Sequence, residues 1–177
     1  MSPSRALPLL ALLILPAVIR ADSAEDIKHA QETADLFKKT DQSLKRFFEG
    51  AAGWAVFPTV GKGAIGIGGA HGSGVLFEGG KAIGSCTLTQ VTVGLQLGGQ
   101  AYSEIVFFET PAALTDFKKG TFALAAQMSA VAAAAGASVN AKYQNGVAVF
   151  TIAKGGLMYE ASVGGQNFTY EPFDKKK

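Results

Sequence analysis

The sequence predicts an α+β domain, with N-terminal helices packed on a strongly twisted, antiparallel, barrel-like β-sheet. Three observations predict it. No glycine precedes Gly50, and all 22 glycines lie from there onward. Apolar residues before that boundary recur at helical spacing, whereas those after it alternate with a period of two. The glycine turns between the alternating stretches are too short for parallel crossovers, which need a dozen or more residues.

The elements follow in order. Residues 1–21 read as a secretory signal peptide. Arg5 supplies the leading positive charge, and Ala6 to Ile19 form an apolar run broken by Pro8 and Pro16. That run is too short to span a bilayer comfortably. Cleavage is expected after Ala21, placing the mature protein in the periplasm or cell envelope. Residues 22–177 then form one domain, helical over 22–50 and mainly β over 51–177. Ser23 is the expected N-cap of the first helix, with Glu25 and Asp26 placing negative charge in its first turn. Ile27, Ala30, Ala34 and Phe37 make one stripe, continued by Leu44 and Phe48. Asp41 falls inside the stripe, so the helix breaks near Thr40 and restarts with Asp41 or Ser43 as cap. In this phase Phe48 is buried against the sheet, and Phe47 lies about 100° away, at the stripe's edge.

Strands are expected over Trp54 to Val60, Ala64 to Gly69, Gly74 to Glu78, Thr87 to Gln100, Ala101 to Phe108, Val147 to Ile152 and Leu157 to Val163. In Thr87 to Gln100 the pattern puts Val91, Val93, Leu95 and Leu97 on a buried face, with Gln90, Thr92, Gln96 and Gln100 on a polar one. Gly79-Gly80, Asn145-Gly146 and Gly164-Gly165 mark hairpins. Pro111 to Lys119 reads as a short helix with proline in its first turn. Phe122 to Ala137 fits a helix by alanine content and a strand by alternation. Cys86, alternating with Leu88, reads as a small strand residue.

Composition excludes several function classes. Apolar residues make up 48% and charged residues 17%, with a mean hydropathy of +0.22, which rules out a disordered chain. Setting aside Arg5 and Arg20, 14 basic residues face 14 acidic ones, so the basic excess of a nucleic-acid binder is missing. Two histidines and one cysteine exclude a Cys/His zinc centre and an internal disulfide. No cofactor or metal is expected. Gly61, Gly63 and Gly66 match a dinucleotide fingerprint, but IGGAHGSG follows where a helix N-terminus would have to face the pyrophosphate. No G-x-S-x-G motif or catalytic pair stands out, and the chain reads as non-enzymatic. Glu104 is expected to point outward from its strand; the sharper alternative is a buried carboxyl bonded to Tyr or Gln.

Three stretches carry a family likeness: GWAVFPTVGKGAIGIGGAHGSGVLFEGG (Gly53 to Gly80), LTQVTVGLQLGGQAYSEIVFF (Leu88 to Phe108) and KGGLMYEASVGGQNFTY (Lys154 to Tyr170). Together they resemble the SYLF-domain family, which includes lipid-binding modules of eukaryotic trafficking proteins and a fungal actin-binding module. The resemblance implies a sheet-rich fold and binding of phosphoinositide or other acidic phospholipid. It also implies a branch of small exported bacterial proteins.

The residues suggest how lipid would be met. Lys38, Lys39, Lys45 and Arg46 interleave with Phe37, Leu44, Phe47 and Phe48, the make-up of a basic helix lying in a membrane interface. Lys118, Lys119 and the tail from Lys175 to Lys177 are further headgroup contacts. The expected partner is therefore anionic phospholipid, met by Lys38, Lys39, Lys45, Arg46, Phe47, Lys118 and Lys119. The alternatives are an envelope protein-interaction module, a small outer-membrane barrel and a hydrolase.

Overall fold

The computed structural model describes residues 16–65, 67–93, 98–155 and 161–173. Helix α1 (Pro16–Thr40) is followed by a single 3-10 turn (Gln42–Leu44) and by α2 (Lys45–Gly50). The break falls where the charge interrupting the apolar stripe predicts it. Asp41 is extended, and its carboxylate accepts the Ser43 N–H as an N-cap. Because α1 begins at Pro16, Ser23 lies inside the helix and does not cap it.

The strands are β1 (Gly53–Ile65), β2 (Ile67–Glu78), β3 (Lys81–Val93), β4 (Gly98–Phe108), β5 (Phe122–Ala123), β6 (Ser129–Ala132), β7 (Val147–Lys154), β8 (Ala161–Ser162) and β9 (Asn167–Pro172). Helix α3 (Pro111–Lys118) separates β4 from β5, its Pro111 in the first turn and Thr110 capping it through the Ala113 N–H. The strands form one curled sheet in the order β5-β9-β3-β2-β1-β4-β7-β6-β8. This is the α+β arrangement expected, with one correction: β6 and β7 run parallel. Their connection, residues 133–146, is a long loop and not a glycine turn, so it has the length a parallel return requires.

Two further corrections concern strands. The three short strands expected between residues 54 and 78 are the two long strands β1 and β2. In β3 the faces are the reverse of those expected, for Gln90 is buried and Val91 is 76% exposed. Cys86 and Leu88 set the phase by entering the core, and Gln90 shares their face, donating its amide to the Gly164 carbonyl at 2.8 Å. Leu95, Gln96 and Leu97 lie outside the described residues, as do Lys175 to Lys177. The ambiguous stretch from Phe122 resolves without a helix, since Leu124, Met128 and Ala130 are drawn into the core and override alanine's helical preference. Gly79 and Gly80 turn the β2–β3 hairpin at φ of 55° and 77°.

The sheet buries both faces. On one, Phe57, Val60, Leu88, Tyr102, Val106 and Phe168 pack with Leu114 and Phe117 of α3. On the other, Val56, Phe77, Ile105, Phe107 and Phe150 lie under Ala30, Ala34, Phe37, Leu44 and Phe47. The N-terminal helical pieces and α3 therefore cover opposite faces.

Candidate functional site

The junction of α1 and α2 is fastened to a loop roughly ninety-five positions further along the chain. Buried Asp41 accepts the backbone N–H of Gly136 at 3.2 Å and of Ser138 at 2.8 Å, besides the Ser43 N–H and hydroxyl. The hydroxyls of Ser43 and Ser138 lie 2.6 Å apart. From α2, the Arg46 guanidinium donates to the carbonyls of Ser138 at 2.8 Å and Ala141 at 2.6 Å, and it stacks over the Phe47 ring. Burial would raise the Asp41 carboxyl, but the hydrogen bonds from Ser43 and Ser138 outweigh it and hold the group below the usual carboxylate range. A carboxylate and a guanidinium thus grip opposite polarities of one loop.

The candidate lipid residues fall into two groups. Lys38 and Lys39 sit in the last turn of α1, where cations complement the helix dipole. Lys38 pairs with Asp35 at 3.0 Å and stands over the Phe48 ring, while Lys39 is exposed and has no ion-pair partner among the described residues. Lys45 is exposed and pairs with Glu49 at 3.6 Å. Lys118 and Lys119 belong to α3, on the other face, where they bond Glu78 at 2.7 Å and Asp116 at 2.6 Å. These two lysines cannot share a patch with the first group.

Phe47 is not an edge residue. It is 3% exposed, ringed by Phe107, Phe150 and Tyr143 at centroid distances of 5.5, 4.9 and 5.2 Å. Phe48 is the partly buried one, against Trp54 and Phe107. The 3-10 turn resets the helical phase, so the stripe of α1 does not continue into α2 in register. In place of Phe47 the structure brings Val139, 55% exposed, to a shallow cleft of about 380 Å³ bordered by Gln42, Ser43, Lys45, Arg46 and Glu49. Lys142, exposed, lies three residues beyond. A valine in an alanine-rich segment gave no sequence signal of this position.

A second polar cluster lies within the core. Glu104 is fully buried, the sharper of the two sequence alternatives. The Gln166 amide donates to its Oε2 at 3.0 Å and to the Tyr102 hydroxyl at 3.3 Å. Glu104 Oε1, Gln166 Oε1 and the hydroxyl of Thr151, its cross-strand neighbour, have no hydrogen-bond partner. Burial pushes the Glu104 carboxyl up to about 8, with the Gln166 hydrogen bond opposing the rise. Neither histidine lies there. His29 and His71 instead line an open cleft of about 340 Å³ with Asp26, Thr59 and Ser73. No cluster of three or more metal-ligating side chains occurs among the described residues.

Comparison with known proteins bears on this arrangement. Residues 89–172, from the second half of β3 through β9, match the family Ysc84, described as "Las17-binding protein actin regulator". That stretch, a little under half of the chain, is similar to the Ysc84 (SYLF) family. The resemblance read from the motifs is borne out over residues 89–172, which take in Lys154 to Tyr170 and nearly all of Leu88 to Phe108, whereas Gly53 to Gly80 lies outside the match. Ysc84 domains are lipid- and actin-binding modules and are not a known enzyme family. A curated relative, beta cell expansion factor A of Aeromonas veronii, is 28% identical over 129 residues, or 71% of this chain and 48% of that protein. The chain thus spans about half the length of that relative. The Ysc84 match includes the Asp41-gripped loop, Glu104 and Gln166, and leaves out α1 and α2.

Proposed function

We propose that this domain binds anionic phospholipid at a membrane surface in an exported compartment, without catalysis. The observation that carries the reading is the set of cations around the α1–α2 junction: Lys39 in the last turn of α1, Lys45 and Arg46 at one cleft, and Lys142 next in the chain to the Ala141 whose carbonyl Arg46 bonds. The segment after Arg20 has no net charge, so attraction to an anionic surface must come from such a local patch. Glu49 and Asp35 temper it, giving modest headgroup selectivity. Lipid is one of the two partner classes associated with the Ysc84 family, actin being the other, which supports the reading.

Export rests on the Ala6 to Ile19 run. Because α1 crosses the Ala21–Asp22 junction, cleavage there would leave a helix opening at Asp22 and Ser23, with Glu25 and Asp26 in its first turn. Intact-mass measurement of protein from a cell envelope fraction tests this, and a full-length mass retaining Met1 would refute it. The lipid reading is tested by flotation with phosphatidylcholine vesicles, with and without phosphatidylserine. Binding is expected only to the anionic vesicles, weakening as salt screens the patch. Equal binding to both, or binding to neither, would overturn it.

A further inference from the structure

We propose that the loop over residues 133–142 is the part of the molecule that enters the bilayer, with Val139 at its tip. This inference rests on the lipid reading above and assigns the element that carries it out.

Three independent features of the loop point to a lipid surface. The first is composition. Between Lys119 and Lys142 the chain carries no charged residue, and within that span Ala134, Ala135, Ala137 and Val139 are all exposed. Small apolar side chains turned toward water on an otherwise well-packed domain mark a contact surface. They offer none of the Trp, Tyr or Arg anchors on which protein–protein hot spots depend, so a bilayer is the occupant they fit.

The second feature is how the backbone is satisfied. A loop meets a membrane surface at less cost when much of its backbone is already hydrogen-bonded within the protein. Here Ala133 donates to Thr151, Ala137 to Ala134, Val139 to Gly136 and Ala141 to Ser138. Asp41 takes the N–H groups of Gly136 and Ser138. Arg46 takes the carbonyls of Ser138 and Ala141, one on either side of Val139. The domain spends a buried carboxylate and a guanidinium on holding a few alanines and a valine outward in one shape. Packing alone gives no reason for that.

The third is charge. Lys45 and Arg46 border the cleft in which Val139 stands, and Lys142 lies three residues on. Glu49 is the acidic residue at that cleft, while the Asp41 carboxylate is buried and taken up by the loop's own N–H groups. An apolar tip collared by cations complements an anionic headgroup layer over an apolar interior.

The test is made on the full chain carrying Val139→Cys, labelled with an environment-sensitive fluorophore. Cys86 is buried and its thiol is pushed far up by desolvation, so labelling is directed to position 139. Thr115→Cys, exposed on α3, is the control. On phosphatidylcholine–phosphatidylserine vesicles, the label at 139 should shift to the blue and be quenched by nitroxides on the acyl chains, while that at 115 should do neither. Val139→Asp should weaken flotation roughly tenfold with an unchanged thermal midpoint. Flotation that persists while the label at 139 stays in water would overturn the insertion and leave the lipid reading standing. Failure of the unsubstituted chain to float on anionic vesicles would overturn the lipid reading, and the insertion with it.

Discussion

Asp41 and Glu104 are both fully buried carboxyls, yet their surroundings drive them to opposite protonation states. Asp41 accepts several N–H and O–H groups and is held ionised. Its contribution to stability is present above the ordinary carboxylate value and lost as pH falls through the lower folded value. Asp41→Ala leaves the buried N–H of Ser138 unpaired and should cost about 2–3 kcal/mol in denaturant unfolding, with Asp41→Asn recovering part of it. Glu104 has one amide donor and is buried away from water, so its carboxyl stays neutral well above the usual range. Its contribution is complete below the ordinary Glu value of 4.5 and is lost as pH rises toward about 8. The thermal midpoint of the protein should therefore fall across that window relative to Glu104→Gln, by a slope corresponding to one proton. Parallel pH profiles of the two proteins would refute this. The sequence announced Asp41, because a charge inside an apolar stripe must end a helix or be satisfied. Its partners at Gly136 and Ser138 were not legible, since nothing local links positions about ninety-five residues apart. Glu104 was legible only as an alternative, because alternation fixes which residues share a face without saying whether that face is buried.

The helical pieces show where periodic reasoning stops being valid. Within α1 the stripe of Ala30, Ala34 and Phe37 is buried as its spacing predicts. Beyond the 3-10 turn the same 100° step assigns the wrong phenylalanine, because three residues per turn advance the phase faster than 3.6. Phe47→Ala should cost about 3–5 kcal/mol, as expected of a ring buried among Phe107, Tyr143 and Phe150, and Phe48→Ala clearly less. Chemical denaturation of both variants checks the order, and the reverse order would restore the sequence phase. In β3 the Val and Leu alternation past Thr89 misled in a related way. The strand's phase is fixed by Cys86 and Leu88 against β9, and Val91 takes the face that this leaves it. The Gly79-Gly80 hairpin and the Pro111 helix were legible because their chemistry is local. Asn145-Gly146 and Gly164-Gly165, by contrast, are turns and not the hairpins expected: β6 runs parallel to β7, and β8 lies beside β6 and not beside β9.

The molecule as a whole separates its two sets of candidate cations onto opposite faces of one sheet. α1 and α2 cover one face and α3 the other, so on the proposed reading a flat bilayer would meet the side of Lys39, Lys45 and Lys142 without meeting Lys118 and Lys119. That separation could not be read from composition, which registers only a neutral chain. It makes the membrane reading testable in one comparison: flotation on phosphatidylcholine–phosphatidylserine vesicles of two variants, each checked for an unchanged thermal midpoint. Lys39→Gln with Lys45→Gln and Lys142→Gln should weaken binding roughly 100-fold, from about 1 kcal/mol for each cation at an anionic surface. Lys118→Gln with Lys119→Gln should leave binding unchanged. Loss of binding in the second variant with retention in the first would place the lipid face on α3 and contradict the account.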